Sequence, residues 1–364
     1  MKTFKVNFTV ILVACILFTS LNLHAAQDEY TKNKHGEYEV NEQTLFKLIN
    51  KYGNVDITNW EKDKLSIDVQ ITVEHKNEDK ARELLDYIMV TFSKEGNTIQ
   101  AKTEFDERFN KSGGFLDFGD DPKEFSINYD VKMPRYLNIE LENKYGDVFI
   151  NEITGRADIA VKYGNFKANR ILRDNSKPLS RVYLAYSNGN IGEVNWLKLS
   201  LKYTPNNCEI EKAKALIAMT KYSKLYVKQA SSIVCESKYD NYHLGTLENL
   251  VCEAKYTDLK VKQINKQIDL VSQYGDIEID YVPKSFKSIK VNNKYGQIEI
   301  GVDDQASYQI EGEASYANIE YPDKGKIRRM EKNTEMRISG TVGKIGNPTA
   351  QVRITTKYGG VELE

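Results

Sequence analysis

Histidine, cysteine, proline and net charge are all in short supply in this chain. It carries 4 His, 4 Cys and 7 Pro, and 51 basic residues stand against 52 acidic ones for a formal charge of -1. So few cysteines exclude a disulfide-dense scaffold, and no zinc-type or Cys-x-x-Cys spacing occurs. The balanced charge removes any global argument for a nucleic-acid or anionic-membrane partner. No phosphate-binding glycine loop, nucleophile elbow or nucleic-acid motif is present, so positive evidence for an enzyme is lacking and no cofactor is implied. Past the first 26 residues no apolar run reaches the ~20 residues that span a bilayer, and no transmembrane helix is expected.

What is abundant is tyrosine, at 23 residues. With many Val, Ile and Thr, and with so little proline, the composition suits a pleated surface. A chain of 364 residues has room for two compact domains or one elongated repeat array.

The first 26 residues read differently. Lys2 and Lys5 precede a mostly apolar stretch from Phe8 to Leu23, and "LHAAQ" offers small residues for cleavage near Ala25 or Ala26. This is the pattern of a signal peptide and implies an exported protein. Leu12-Val13-Ala14-Cys15 also resembles a bacterial lipoprotein box, but the apolar run continues through Ile16, Leu17 and Phe18. Ordinary cleavage is the expectation, with lipid anchoring at Cys15 the alternative. Cys208, Cys235 and Cys252 then remain, an odd number that leaves at least one thiol unpaired.

A turn of the form Lys-Tyr-Gly recurs over most of the chain. Its tyrosines are Tyr52, Tyr145, Tyr163, Tyr186, Tyr203, Tyr222, Tyr239, Tyr256, Tyr274, Tyr295, Tyr316 and Tyr358. Steps between Tyr145 and Tyr316 run from 17 to 23 residues, and the final gap of 42 reads as two coils of 21. Apolar residues keep a fixed phase: Val148 and Ile150, Ile277 and Ile279, Ile298 and Ile300 follow the tyrosine, while Ile139 and Leu141, Ile289 and Val291 precede it. Both flanks alternate with period two, so both are strands with one face inward. A hairpin would pair the two flanks, but near-identical units pair best with their own copies one turn away. About 18 residues at ~3.3 Å each give a perimeter of about 60 Å, enough for two or three short strands and their corners. The expected fold is all-β, a parallel β-helix (β-solenoid) of about 18–21 residues per coil, right-handed by the crossover rule. The Tyr186 and Tyr203 units, "YSNGNI" and "YTPNNC", each carry two extra corner residues before the apolar phase resumes at Ile191 and Cys208.

Three parts follow: the signal peptide at 1–26, an N-terminal rung and capping region at 27–135, and solenoid repeats at 136–364. In the cap, Leu45 to Ile57 is a rung and Lys64 to Val73 a long strand. Asn77 to about Asp86 is helical, with Asn77 as its cap, and "EGN" turns a hairpin after it. Such an irregular α+β excursion shields a solenoid end. Asp106 to Glu124 is a polar, mobile loop.

An export signal, "KYG(N/D)V.I" and "KYGQIEI" units, and the "WEKDKLSIDVQITVE" strand before a helix and "FSKEGNTI" together resemble the putative-adhesin family of bacterial envelope proteins, common among Bacteroidota. The resemblance implies a β-helix-like fold in an exported protein and supplies no site residues.

Candidate sites are few. Lysine precedes the tyrosine at Lys51, Lys144, Lys162, Lys202, Lys221, Lys238, Lys255, Lys294 and Lys357, opposite in parity to the inward residues. These form a solvent-facing ladder about 4.8 Å from rung to rung. The expected reading is structural, stacked tyrosines with snorkelling lysines that protect the outer surface, and binding of an anionic glycan or another polyanion is the functional alternative. Cys235 and Cys252 occupy the same inward position in neighbouring coils; two buried thiols are expected, with a disulfide as the alternative. Cys208 is core. His35, His75 and His243 are scattered. Glu278, Glu299 and Glu320 share an outward place and are the only catalytic carboxylates to weigh. Asp117, Asp120 and Asp121 lack calcium-loop spacing and read as a solvated acidic loop.

The expected function is that of an exported non-catalytic solenoid, an adhesin or envelope scaffold that binds an envelope or extracellular glycan or protein, in the periplasm, at the outer-membrane surface or outside the cell. A carbohydrate-active β-helix enzyme and an envelope stress-signalling accessory are the alternatives. Exposed ends that let solenoids stack would favour a scaffold, and the chain finishes on the strand "YGGVELE".

Overall fold

The computed structural model describes residues 28–111 and 124–364. The signal peptide expected at 1–26, with Cys15, and the acidic residues Asp117, Asp120 and Asp121 lie outside the described residues. Strand accounts for 71% and helix for 4%, so period-two alternation governs the fold.

Each coil is two strands meeting at a tyrosine. Asn138–Lys144 leads into Tyr145 and Val148–Ile153 leads away; Ala157–Lys162, Tyr163 and Asn165–Ile171 form the next coil. Equivalent strands pair in parallel register, Leu141 with Ile159 before the corner and Ile150 with Ala168 after it. Alternate side chains from both layers point inward, and Ile139, Leu141, Val148 and Ile150 are all buried in one continuous core. Each such side chain contributes about 1.5–3 kcal/mol by burial. The β-solenoid expected from the repeat is therefore the fold.

At the N-terminal end antiparallel strands join the parallel rungs. Leu45–Lys51 stacks in parallel on Asn138–Lys144 and, on its other edge, on Thr98–Phe105, which turns back in an antiparallel hairpin with Ile88–Glu95. On the other layer Lys64–Glu74 pairs antiparallel with both Glu124–Met133 and Glu29–Glu39. The helix Glu78–Tyr87 starts at Asn77, whose side chain accepts a hydrogen bond from the Lys80 amide, and buries Ala81, Leu84 and Leu85. The expected loop from Asp106 is helical at its start: Glu107–Lys111 forms a short helix, with the Asp106 carboxylate accepting from the Arg108 amide at 2.9 Å.

The C-terminal end departs from the sequence reading. The 42-residue gap is not two coils. Gly325–Lys332 and Glu335–Val342 form an antiparallel hairpin on the edge of Tyr308–Ser315, and Ala350–Lys357 inserts between Tyr308–Ser315 and Ser288–Lys294. Val361–Leu363 likewise lies between Ile298–Val302 and Ile319–Glu320. The segment "GKIRRMEK" lacks the alternating apolar residues that fill a rung, so it stays outside as an exposed, basic edge. The strand "YGGVELE" is thus an interior coil, covered by Ile319–Glu320, and in the other layer the charged edge Gly325–Lys332 opposes strand-to-strand stacking of copies.

Two further expectations change. In the Tyr186 unit Phe166 pairs with Gly189 and Ala168 with Ile191, without offset, so no insertion exists there. A glycine simply stands at a core position, where a Cβ would lie 2.8 Å from the Cys208 sulfur. The Tyr203 unit does carry the two extra residues, because Cys208, fifth after its tyrosine, faces Gly189, third after its own. Cys235 and Cys252, directly paired in register with Cα atoms 4.6 Å apart, are joined in a disulfide instead of remaining free thiols. Cys208 is a buried free thiol.

Candidate functional site: the tyrosine corner

All twelve repeat tyrosines have positive φ, from 51° at Tyr316 to 65° at Tyr52. This left-handed conformation costs a side-chain-bearing residue roughly 1–2 kcal/mol and is normally left to glycine or asparagine. Here the conformation turns each ring outward at the corner onto its neighbours. The twelve rings form one continuous stack, with centroids from 4.6 Å (Tyr274 to Tyr295) to 5.2 Å (Tyr203 to Tyr222) apart. Each added ring contributes one stacked interface, worth about 0.5–1.5 kcal/mol, which offsets most of the backbone cost. At one end Tyr52 meets the edges of Phe105 and Phe125; at the other Tyr316 is 60% exposed and leaves the stack open. Where glycines follow the tyrosine in neighbouring coils their backbones approach closely: a Cβ on Gly146 would lie 2.0 Å from the Gly53 carbonyl oxygen.

The lysine row runs beside the rings as the parity requires. Strand pairing aligns Lys51 with Lys144, Lys144 with Lys162, Lys238 with Lys255, and Lys294 with Lys357. Ammonium groups of Lys51, Lys144, Lys202, Lys221, Lys238, Lys294 and Lys357 lie 4.4–5.5 Å from the centroid of the tyrosine that follows each. Lys162 lies 5.8 Å from Tyr183. Lys255 is ion-paired with Glu253 at 2.8 Å, and among the described residues it is the one member of the row with a carboxylate partner.

Behind the corner the chain is polar. Asp240 follows Tyr239, is 7% exposed, and accepts hydrogen bonds from the Thr220 hydroxyl at 2.6 Å, the Ser237 hydroxyl at 2.8 Å and the amides of Ser223 at 2.7 Å and Lys238 at 2.8 Å. Burial pushes its carboxyl above the usual range, against the pull of those donors. Sequence reasoning missed this network; its only signal was an acid at a position otherwise held by Gly, Ser, Thr or Ala.

The outward carboxylates stand in single file. Glu278 pairs in register with Glu299, Glu299 with Glu362, and Glu362 with Glu320, while Lys260 holds Glu278 at 2.6 Å. The row that sequence read as three includes Glu362, brought in by the inserted C-terminal coil. His243 stacks on Tyr226 with centroids 4.6 Å apart, His35 meets Asp68 at 2.6 Å, and His75 contacts Asn77, so the three do not converge. Among the described residues no group of three or more His, Cys, Asp or Glu could hold a metal ion, and no helix is long and apolar enough to cross a membrane.

Residues 184–364 match the Toastrack DUF4097 family. A comparison with curated proteins finds no match. Among solved structures, the chain is similar to a putative cell adhesion protein from Clostridium sporogenes, at 10% identity over 92% of this chain and 99% of that one, with a TM-score of 0.21. It is also similar to putative adhesins from Bacteroides fragilis and Parabacteroides distasonis, each at 12% identity over 92% of this chain and 97% of theirs, with TM-scores of 0.27 and 0.30. At TM-scores this low the likenesses carry no structural or functional conclusion. The matched residues 184–364 hold nine of the twelve stacked tyrosines.

Proposed function

We propose that the protein is an exported, non-catalytic binding solenoid of the cell envelope, whose lysine row holds a polyanionic glycan along the tyrosine corner. The observation that carries this is the row itself: nine lysines in one line, broken by Ala185 between Lys162 and Lys202 and by Gln273 between Lys255 and Lys294, of which Lys255 alone is neutralised by a carboxylate among the described residues. Some lysines elsewhere on the surface are paired, as in Lys47 with Glu140, Lys228 with Glu211 and Lys290 with Asp269. Others, such as Lys198 and Lys262, are single, but among the described residues only at the corner do lysines recur in line from coil to coil. Like charges at rung spacing repel, and a polyanion with acid groups along its length relieves that repulsion. The disulfide between Cys235 and Cys252 supports maturation in an oxidising compartment, in keeping with the signal-peptide pattern.

The test is binding of polygalacturonate and heparin to the purified protein, compared with the triple variant Lys202→Gln, Lys221→Gln and Lys238→Gln. Binding that weakens with salt and falls at least about tenfold in the variant is expected. No binding at the outset, or binding that the variant leaves unchanged, overturns the proposal.

A further inference from the structure

The corner after the tyrosine is interrupted at Tyr203, where two extra residues precede Cys208. Beside them lies a depression of ≈ 420 Å³, within the range of small-molecule pockets, lined by Tyr186, Ser187, Asn188, Tyr203, Asn206 and Tyr222. Its composition sets it apart from the rest of the corner. Three phenol rings form one wall, two amides and a hydroxyl supply the polar groups, and no charged residue is among those that line it; the row's Lys202 and Lys221 stand outside the lining, 5.5 and 5.2 Å from the Tyr203 and Tyr222 ring centroids.

A corner insertion that the solenoid merely tolerates is the bland account. Two features exceed it. On both sides of this region the side chain two places after the tyrosine is used from rung to rung: the Asp147 amide donates to Asn54 Oδ1 at 2.8 Å, the Asn165 amide to Asp147 Oδ1 at 2.7 Å and the Gln297 amide to Asp276 Oδ1 at 2.9 Å. Among the described residues Lys224 and Asn241, at the same place in the two coils that follow the interruption, make no such bond. At the interruption this ladder stops. Asn206 makes no side-chain hydrogen bond among the described residues, and Asn188 uses only Nδ2, on Asn165 Oδ1 at 2.8 Å, so its Oδ1 is unspent. The second feature is the wall. The three rings stack on one another at 4.9 and 5.2 Å, which turns their edges and hydroxyls outward, and Tyr186 and Tyr222 stay 49% and 39% exposed.

We infer that this depression binds one uncharged pyranose unit of a glycan. A charged ligand would lose its hydration here with no counter-charge in the lining, and a purely apolar one would leave the amides without partners. A pyranose satisfies both demands. Its C–H surface packs on the tyrosine wall, and its neighbouring hydroxyls pair with amides that both donate and accept. The inference rests on the reading of the corner as a glycan-binding surface, but on none of its lysines, so the two separate by experiment.

The test is an array of neutral oligosaccharides built from glucose, galactose, mannose, fucose and N-acetylglucosamine, probed with the purified protein in about 0.5 M NaCl, where lysine-driven contacts are screened. Asn206→Ala and a deletion of Pro205 and Asn206, which restores the residue count of the adjoining coils, are probed in parallel. Asn206 is exposed, so the single substitution should melt like the parent; the deletion checks the same point by geometry. A neutral glycan bound by the parent and weakened roughly tenfold or more in Asn206→Ala supports the pocket. Absence of any neutral ligand, or binding indifferent to both variants, overturns it. Binding confined to acidic glycans and lost in the triple lysine variant also overturns the pocket while leaving the lysine row in place.

Discussion

Tyr295 stacks on Tyr358 with ring centroids 4.9 Å apart, and Tyr316, which lies between them in sequence, sits on the far side of Tyr358 at 5.1 Å. The last segment of the chain is therefore an internal coil held on both edges. Deleting Ala350 to Glu364 would remove Val352, Ile354, Val361 and Leu363, all buried, from the middle of the stack. Their burial is worth about 6–12 kcal/mol, comparable to a domain's whole stability. The truncated protein is expected to lose its cooperative thermal transition by circular dichroism. A melting temperature within a few degrees of the parent would show that these residues form a dispensable terminal rung.

The backbone of the corner gives a second expectation, opposite to the usual rule for strands. Tyr239 has φ of 60°, and Tyr222 and Tyr256 stack on its two faces at 4.9 and 4.8 Å. Tyr239→Gly and Tyr239→Ala both remove the ring and split the ladder, but only alanine keeps a Cβ in the left-handed region. Urea unfolding should find the alanine variant less stable than the glycine variant by about 1 kcal/mol. Equal stabilities, or a more stable alanine variant, would contradict the strain at this position.

Much of this architecture was legible in the sequence because a solenoid writes its rules many times over. The phase of Ile139, Leu141, Val148 and Ile150 revealed both strands, and the parity of Lys144 and Lys162 placed them in solvent. What the sequence concealed was order and conformation. The period carries no information about which coil stacks on which, so the insertion of Val352 and Ile354 between earlier strands was invisible, and the charge of "GKIRRMEK" was the one hint of a segment unable to fill a rung. Spacing alone also made Gly189 look like part of an insertion, because a glycine at a core position breaks an apolar pattern as an extra residue would. The depression at Tyr203 could be located by residue count, yet its neutral lining depends on three coils at once. The left-handed tyrosines had no signature, since a bulky residue there runs against local preference and is stabilised only by the neighbouring coils.

The cysteines can be counted. Cys208 is fully buried, which pushes its thiol up to about 12, and Cys235 and Cys252 are joined. In protein lacking residues 1–26, a thiol reagent at neutral pH should label no cysteine in the native state, one after denaturation and three after denaturation with reductant. Two or more labelled without reductant would exclude the disulfide. Its reduction should also lower the melting temperature, because closing even this loop, with a sequence separation of 17, is worth about 3 kcal/mol of entropic stabilisation.

Asp240 gives the fold a pH dependence of defined sign. Its folded-state carboxyl is raised by burial above the unfolded value, so the folded state binds the proton more readily. The associated stability is fully present below the unfolded value, near 3.8, and is lost as pH rises through the folded value. Other carboxylates move the whole curve, so the informative quantity is a difference. In Asp240→Thr, which installs the residue type found at the matching place after Tyr203 and Tyr256, that term is absent. Melting temperatures of parent and variant measured from about pH 4 to 8 should converge or cross, with the parent gaining on the variant as pH falls. A constant gap across that range would mean that the donors from Thr220, Ser223, Ser237 and Lys238 outweigh burial and hold the carboxylate charged throughout.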